Sequence, residues 1–123
     1  MSKTSVDFKS QVTNPDLPQV KDIMPDELRD KKDLVKIVDV RRPDEYVGEF
    51  GHIPGAELLT LDDLPAKINK LPKDKTIVFV CRSGGRSARA TAFALENGFH
   101  DVFNMQGGMI AWTNKKFEAE DKK

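Results

Sequence analysis

The chain has 123 residues, with twenty basic and twenty acidic side chains that cancel at pH 7. That length suits one domain with one core. The charge balance excludes a global field drawing the protein to nucleic acid or an anionic membrane, and no apolar run nears the ~20 residues of a membrane span. Residues Met1 to Phe8 carry no apolar stretch of the secretory kind. The single cysteine, Cys81, can form neither an internal disulfide nor a thiolate zinc cluster. A cytoplasmic, reducing setting is expected, and the question becomes what one thiol is for.

Residues 1–18 are polar and punctuated by Asn14-Pro15 and Pro18, and they read as an arm that docks through Val6, Phe8, Val12 and Leu17 without carrying chemistry. From 19 to 117, short apolar runs alternate with helix-like stretches, the signature of βα units and a parallel sheet. Runs 20–23, 37–40, 56–59, 76–80 and 102–105 read as strands, those at 37–40 and 76–80 most clearly because they are rich in Val and Ile. Pro25 opens a helix to Lys32. Leu64, Ile68 and Leu71 share one face of a helix over 62–71. An alanine-rich helix over 87–97 carries Ala88, Ala92 and Leu95 on a stripe and stops at Asn97-Gly98. A last helix over 107–117 turns Ile110 and Trp112 inward. The charged tail 118–123 is expected to fray.

The chemistry concentrates where the strand Val78-Phe79-Val80 ends at Cys81 and the loop Arg82-Ser83-Gly84-Gly85-Arg86-Ser87 leads into a helix. Ligands of open α/β sheets bind at the carboxyl ends of strands. Gly84 and Gly85 let the backbone curl so that several N–H groups converge near the helix N-terminus, a place that favours an anion. Arg82 and Arg86 lie in the loop and Arg89 one turn on. Helix N-termini and adjacent cations favour the thiolate, so the pattern predicts a nucleophile beside an anion site. A lone cysteine after an apolar strand is more often an inert buried side chain, but a glycine-rich, doubly basic loop is a poor place for one.

Three segments in order carry a resemblance to the rhodanese family of sulfurtransferases: Asp39-Val40-Arg41-Arg42-Pro43-Asp44-Glu45-Tyr46 with Gly51-His52-Ile53-Pro54-Gly55-Ala56; Cys81 to Ser87; and Gly107-Gly108-Met109-Ile110-Ala111-Trp112. The resemblance spans about residues 20–115, and the joint spacing is what makes it specific. It implies a three-layer α/β sandwich whose central, mostly parallel five-stranded sheet is flanked by helices. It also implies ping-pong chemistry: Cys81 takes the outer sulfur of thiosulfate as a persulfide and passes it to cyanide, glutathione, thioredoxin or a protein thiol. The loop from Arg82 to Ser87 cradles sulfur and substrate, and no metal or organic cofactor is required. Arg82 beside the cysteine points to thiosulfate rather than 3-mercaptopyruvate.

Four residues separate Cys81 from Arg86, whereas cysteine phosphatases resemble C-x5-R, so the shorter loop suits sulfur over a phosphoryl group. Asp39, Arg41 and Glu45 read as a structural brace of the site, His52 as a turn-stabilising hydrogen bonder and Trp112 as core. Many members of the family it resembles have two residues between the aromatic of the Glu-Tyr segment and the Gly-His, where this chain has the four from Val47 to Phe50, so a loop expected to flank the mouth of the site is longer here. A protein persulfide carrier loaded by polysulfide or a desulfurase, and a non-catalytic binding module, are the competing readings. Either a monomer or a homodimer is compatible with the sequence.

Overall fold

The computed structural model describes residues 6–121, so residues 1–5 of the arm and 122–123 of the tail lie outside the described residues. The elements are β1 (Val12–Thr13), β2 (Lys21–Ile23), α1 (Pro25–Lys31), β3 (Lys36–Asp39), α2 (Pro43–Tyr46), β4 (Glu57–Leu58), α3 (Leu64–Lys67), β5 (Ile77–Val80), α4 (Gly85–Glu96), β6 (Val102–Met105) and α5 (Gly108–Asn114). They build one sheet in the order β1-β2-β6-β5-β3-β4. The five expected strands pair in parallel, and the arm adds β1 antiparallel to β2 as a sixth.

Because side chains alternate across a strand, each strand feeds two cores. On one face Val78 and Val80 of β5 meet Ile37, Phe103 and Met105, and are covered by Leu28 of α1 and by Met109 and Trp112 of α5. On the other, Ile77, Phe79 and Cys81 pack with Val38, Val40 and Val102 under Leu64 and Ile68 and under Ala90 and Ala94 of α4. The alanines that face the sheet carry no bulk, which lets the α4 backbone lie close to it.

Several boundaries differ from those read in the sequence. The 62–71 helix is one α-turn, α3, extended by a 3-10 turn at Ile68–Lys70, and it keeps Leu64, Ile68 and Leu71 buried on one face as expected. Helix α4 starts at Gly85 rather than Ser87. In α5 the inward pair is Met109 and Trp112, with Ile110 only half-buried. The short α2 was not foreseen. Its signal is Pro43 at the first helical position followed by Asp44 and Glu45, with the Glu45 carboxylate accepting the Arg42 N–H at 3.1 Å. The tail is held through Glu120: the Trp112 indole donates to the Glu118 carbonyl at 2.8 Å, and the His52 and Glu120 backbones exchange hydrogen bonds.

The arm is anchored by polar contacts as well as by buried Phe8. One carboxylate, Glu27 of α1, accepts the Lys9 and Ser10 N–H groups, the Ser10 hydroxyl and the Lys31 ammonium, at 2.6–2.8 Å. Partial burial opposes its charge, but Lys31 and these donors outweigh it and hold the carboxyl down at about 2. Glu27→Ala is expected to cost about 2 kcal/mol, read as a melting temperature lower by roughly 6–12 °C. Cleavage by trypsin after Lys9 should become faster in the same variant. An unchanged melting temperature and digestion rate would show that the arm is held by Phe8 alone.

Candidate active site

Strand β5 delivers Cys81 to the carboxyl edge of the sheet at the turn into α4. The side chain is 1% exposed. Its Sγ accepts the Gly84 N–H at 3.0 Å and lies 3.2 Å from the Ser87 hydroxyl. Of the two glycines it is Gly84 that takes the left-handed backbone (φ 108°), which turns its N–H back onto the sulfur; Gly85 is simply the first residue of α4. The sulfur therefore sits against a loop N–H and a hydroxyl at the N-terminus of a twelve-residue helix.

A second strand-to-helix turn supports this one from behind. Met109 and Ile110, in the first turn of α5, donate their N–H groups to the carbonyls of Cys81 and Arg82 at 2.8 and 3.0 Å. The approach is so close that a Cβ on Gly108 would stand 2.4–2.5 Å from those backbone atoms, and Gly108 has φ 60°. This is why the glycine pair Gly107-Gly108 begins the helix.

The charged residues are distributed unevenly. Arg86 points to α2, where both its terminal nitrogens bind the Glu45 carboxylate at 2.7 and 2.8 Å. That guanidinium holds the Glu45 carboxyl down at about 2, against an ordinary value of 4.5. Asp39 and Arg41, each 1% exposed, form a buried bidentate pair beside β3, and Arg41 also donates to the Gly51 carbonyl at 2.7 Å. Arg82 is exposed, with no carboxylate partner among the described residues, and its guanidinium lies 5.4 Å from the Phe50 ring centre. Loop 47–50 thus supplies the aromatic face on which Arg82 rests. Ser83 is exposed. His52 is buried, stacked on Tyr46 with ring centres 3.5 Å apart and bonded through Nδ1 to the Tyr46 carbonyl.

Three buried polar residues that the sequence reading passed over also meet here. The Ser87 hydroxyl donates to Asn104 Oδ1, Asn104 Nδ2 donates to Asp22 Oδ1 at 3.0 Å, and Asn14 of the arm donates to the same oxygen at 3.0 Å. A groove of about 780 Å³ runs between the arm turn at Asn14 to Leu17 and the outer side of the loop, reaching Arg89; Cys81 does not line it. Among the described residues no three of His, Cys, Asp or Glu gather to hold a metal ion, and no helix is long and apolar enough to cross a membrane.

A parallel α/β sheet with a cysteine loop at a helix N-terminus, backed by a glycine-started helix, defines a rhodanese-like domain. The family model for the rhodanese-like domain matches residues 24–115, and the chain belongs to the rhodanese family of sulfurtransferases. A protein of Allochromatium vinosum named sulfurtransferase is 40% identical over 85 residues, which cover 69% of this chain and 77% of that one. The thiosulfate sulfurtransferase GlpE of Pseudoalteromonas translucida is 41% identical over 86 residues, 70% of this chain and 79% of that one. The crystal structure of a rhodanese-related protein from Thermoplasma volcanium superimposes with a TM-score of 0.77 at 26% identity, over 82% of this chain and 98% of the other.

Two outcomes follow from the geometry. Gly108→Ala should displace the backbone of Cys81 and Arg82 and cost about 2–4 kcal/mol in unfolding free energy, measured by urea denaturation, since strain and overpacking add. A stability equal to the wild type would mean that the two turns are not locked together. For Glu45, the folded-state carboxyl titrates below its unfolded value, so its pairing stabilises the fold above about pH 4.5 and is lost as pH falls toward about 2. Glu45→Gln should therefore be less stable than wild type at pH 7, with the gap closing over that acid range.

Proposed function

We propose that the protein moves sulfane sulfur from thiosulfate to a thiophilic acceptor through a persulfide on Cys81. The observation that carries this reading is the sulfur held by the Gly84 N–H and the Ser87 hydroxyl at the start of α4, with Arg82 exposed and without a carboxylate partner among the described residues. The Cys81 thiolate attacks the outer sulfur of thiosulfate, the S–S bond of the donor breaks, and sulfite leaves with the bonding pair. The product is a Cys81 persulfide anion, and charge is conserved. The acceptor, cyanide or a thiolate such as glutathione, thioredoxin or a protein thiol, then attacks the outer sulfur and Cys81 leaves as thiolate.

Each residue has a share in this scheme. Gly84 and Ser87 stabilise the thiolate that is consumed and later expelled. Arg82, planar and always charged, draws the dianionic donor to the loop. Arg86 is engaged by Glu45, so it serves to pin α2 to the loop and leaves anion attraction to Arg82. Asp39 and Arg41 brace the turn at Gly51, on which the Phe50 platform depends.

Intact mass before and after thiosulfate tests the reading. A gain of one sulfur, about 32 Da by atomic mass, is expected on the wild type and should be removed by cyanide, while Cys81→Ser should gain nothing because a hydroxyl is a far weaker nucleophile. No gain with thiosulfate would overturn thiosulfate as donor, and a gain on Cys81→Ser would overturn Cys81. Arg82→Ala should raise KM for thiosulfate about tenfold with kcat little changed, the pattern of lost ground-state and transition-state binding in equal measure.

A further inference from the structure

The proton of Ser87 has more claimants than it can serve. Its hydroxyl lies 3.2 Å from Cys81 Sγ, 3.4 Å from the Gly84 carbonyl and within hydrogen-bond reach of Asn104 Oδ1. A hydroxyl has one hydrogen to give. Asn104 Oδ1 is an amide oxygen with no proton of its own, so in that pair the Ser87 hydroxyl is the donor. Asn104 cannot turn its amide the other way, because its Nδ2 faces two pure acceptors, Asp22 Oδ1 at 3.0 Å and the Gly84 carbonyl at 3.3 Å. Asp22 is itself buried and held by Asn14 Nδ2. β2 and β6 set Asp22 directly opposite Asn104.

We propose that Asn104, oriented by Asp22, is a positioning residue that competes with the Cys81 thiolate for the single Ser87 proton and so sets how readily the nucleophile forms. The inference rests on Cys81 being the reactive thiol. With the sulfur protonated or capped by a second sulfur, Ser87 donates to Asn104. With the sulfur ionised, its proton released to solvent, Ser87 turns to the thiolate and Asn104 Oδ1 loses its donor. Gly84 N–H serves the sulfur in both states. Asp22 and Asn14 lie outside the 24–115 span of the family match.

Iodoacetamide alkylation of the full chain across pH reads the thiolate with no sulfur donor present, so this inference can fail while sulfur transfer stands, or the reverse. The charged groups at this end of the elements around Cys81 are Arg82 of the loop, Arg86 and Arg89 of α4, Glu45 of α2, the Asp39 and Arg41 pair and Asp22 of β2, and only Asp22 is varied. Asn104→Leu removes the competing acceptor at nearly constant volume. It should move the alkylation midpoint to lower pH, raising the rate below the midpoint about three- to tenfold. Ser87→Ala should move it to higher pH, and in that background Asn104→Leu should change the rate by less than about twofold. A shift of equal size with and without Ser87, no shift, or a shift to higher pH overturns the competition.

Asp22→Leu and Asp22→Asn remove the same charge, but only the amide can still accept from Asn104. Asp22→Leu should lower the midpoint further than Asp22→Asn, and equal shifts would mean that Asp22 acts by charge and not by orienting Asn104. Should Asn104→Leu fail to fold, as judged by thermal unfolding, the Asp22 pair carries the test.

Discussion

The hydrogen bonds from Met109 and Ile110 to the carbonyls of Cys81 and Arg82 are the contact on which the site depends. The loop turns the Gly84 N–H onto the sulfur and leaves the Cys81 and Arg82 carbonyls facing the other way, and buried carbonyls need donors. Helix α5 supplies them from its own first turn, where N–H groups have no partner within the helix. Each turn thus satisfies the backbone groups that the other leaves open. The demand for close approach is what puts glycine at position 108, where any Cβ would collide with the loop backbone.

Strand parity carries the same logic into the sheet. On β5 the odd positions Ile77, Phe79 and Cys81 face α4, so the thiol emerges on the face where Ser87 lies. On β6, Phe103 and Met105 face α1 and α5, leaving Val102 and Asn104 toward α4. On β2, Ile23 belongs to the first core and Asp22 to the other side. The β2–β6 register therefore sets Asp22 against Asn104 and α4 lays Ser87 over them, in a layer that is otherwise mostly apolar. A polar group in such a layer costs free energy unless it is bonded, and here each finds partners among the others or the loop.

Much of this was legible in the sequence because it rests on local pattern. The runs at 37–40 and 76–80 and the Cys81 loop are short-range signals, and the strands lie within a residue or so of the expected places. The alanine-rich helix was legible too, but the alanines packed with the sheet residues are Ala90 and Ala94 rather than the expected Ala88 and Ala92. The short α2 was missed because a four-residue helix carries no apolar period to detect, although Pro43 followed by Asp44 and Glu45 is a helix-start signal. β1 was missed since a two-residue strand on a sheet edge, with both side chains exposed, leaves no alternation to detect. The Asn104 and Asp22 pair was readable in principle: an asparagine inside Val-Phe-Asn-Met, a strand covered on both faces, has no reason to be there without a partner. Naming that partner needs the β2–β6 register, a non-local fact that spacing along the chain does not contain.

The two loop arginines show how tertiary structure divides what sequence leaves equivalent. Arg82 and Arg86 flank the same glycines, and both look fit to hold an anion. Arg86 lies in the first turn of α4 and reaches a carboxylate that α2 presents already fixed by its cap on the Arg42 N–H. A bidentate pair to a pre-organised carboxylate leaves little of that charge for a diffusible anion. Arg82 precedes the helix, faces solvent and rests on Phe50, an arrangement that lends the guanidinium rigidity without neutralising it. Arg86 is thus drawn into a brace, while Arg82, four residues earlier, stays the solvent-facing guanidinium of the turn, seated on the Phe50 ring of the 47–50 loop.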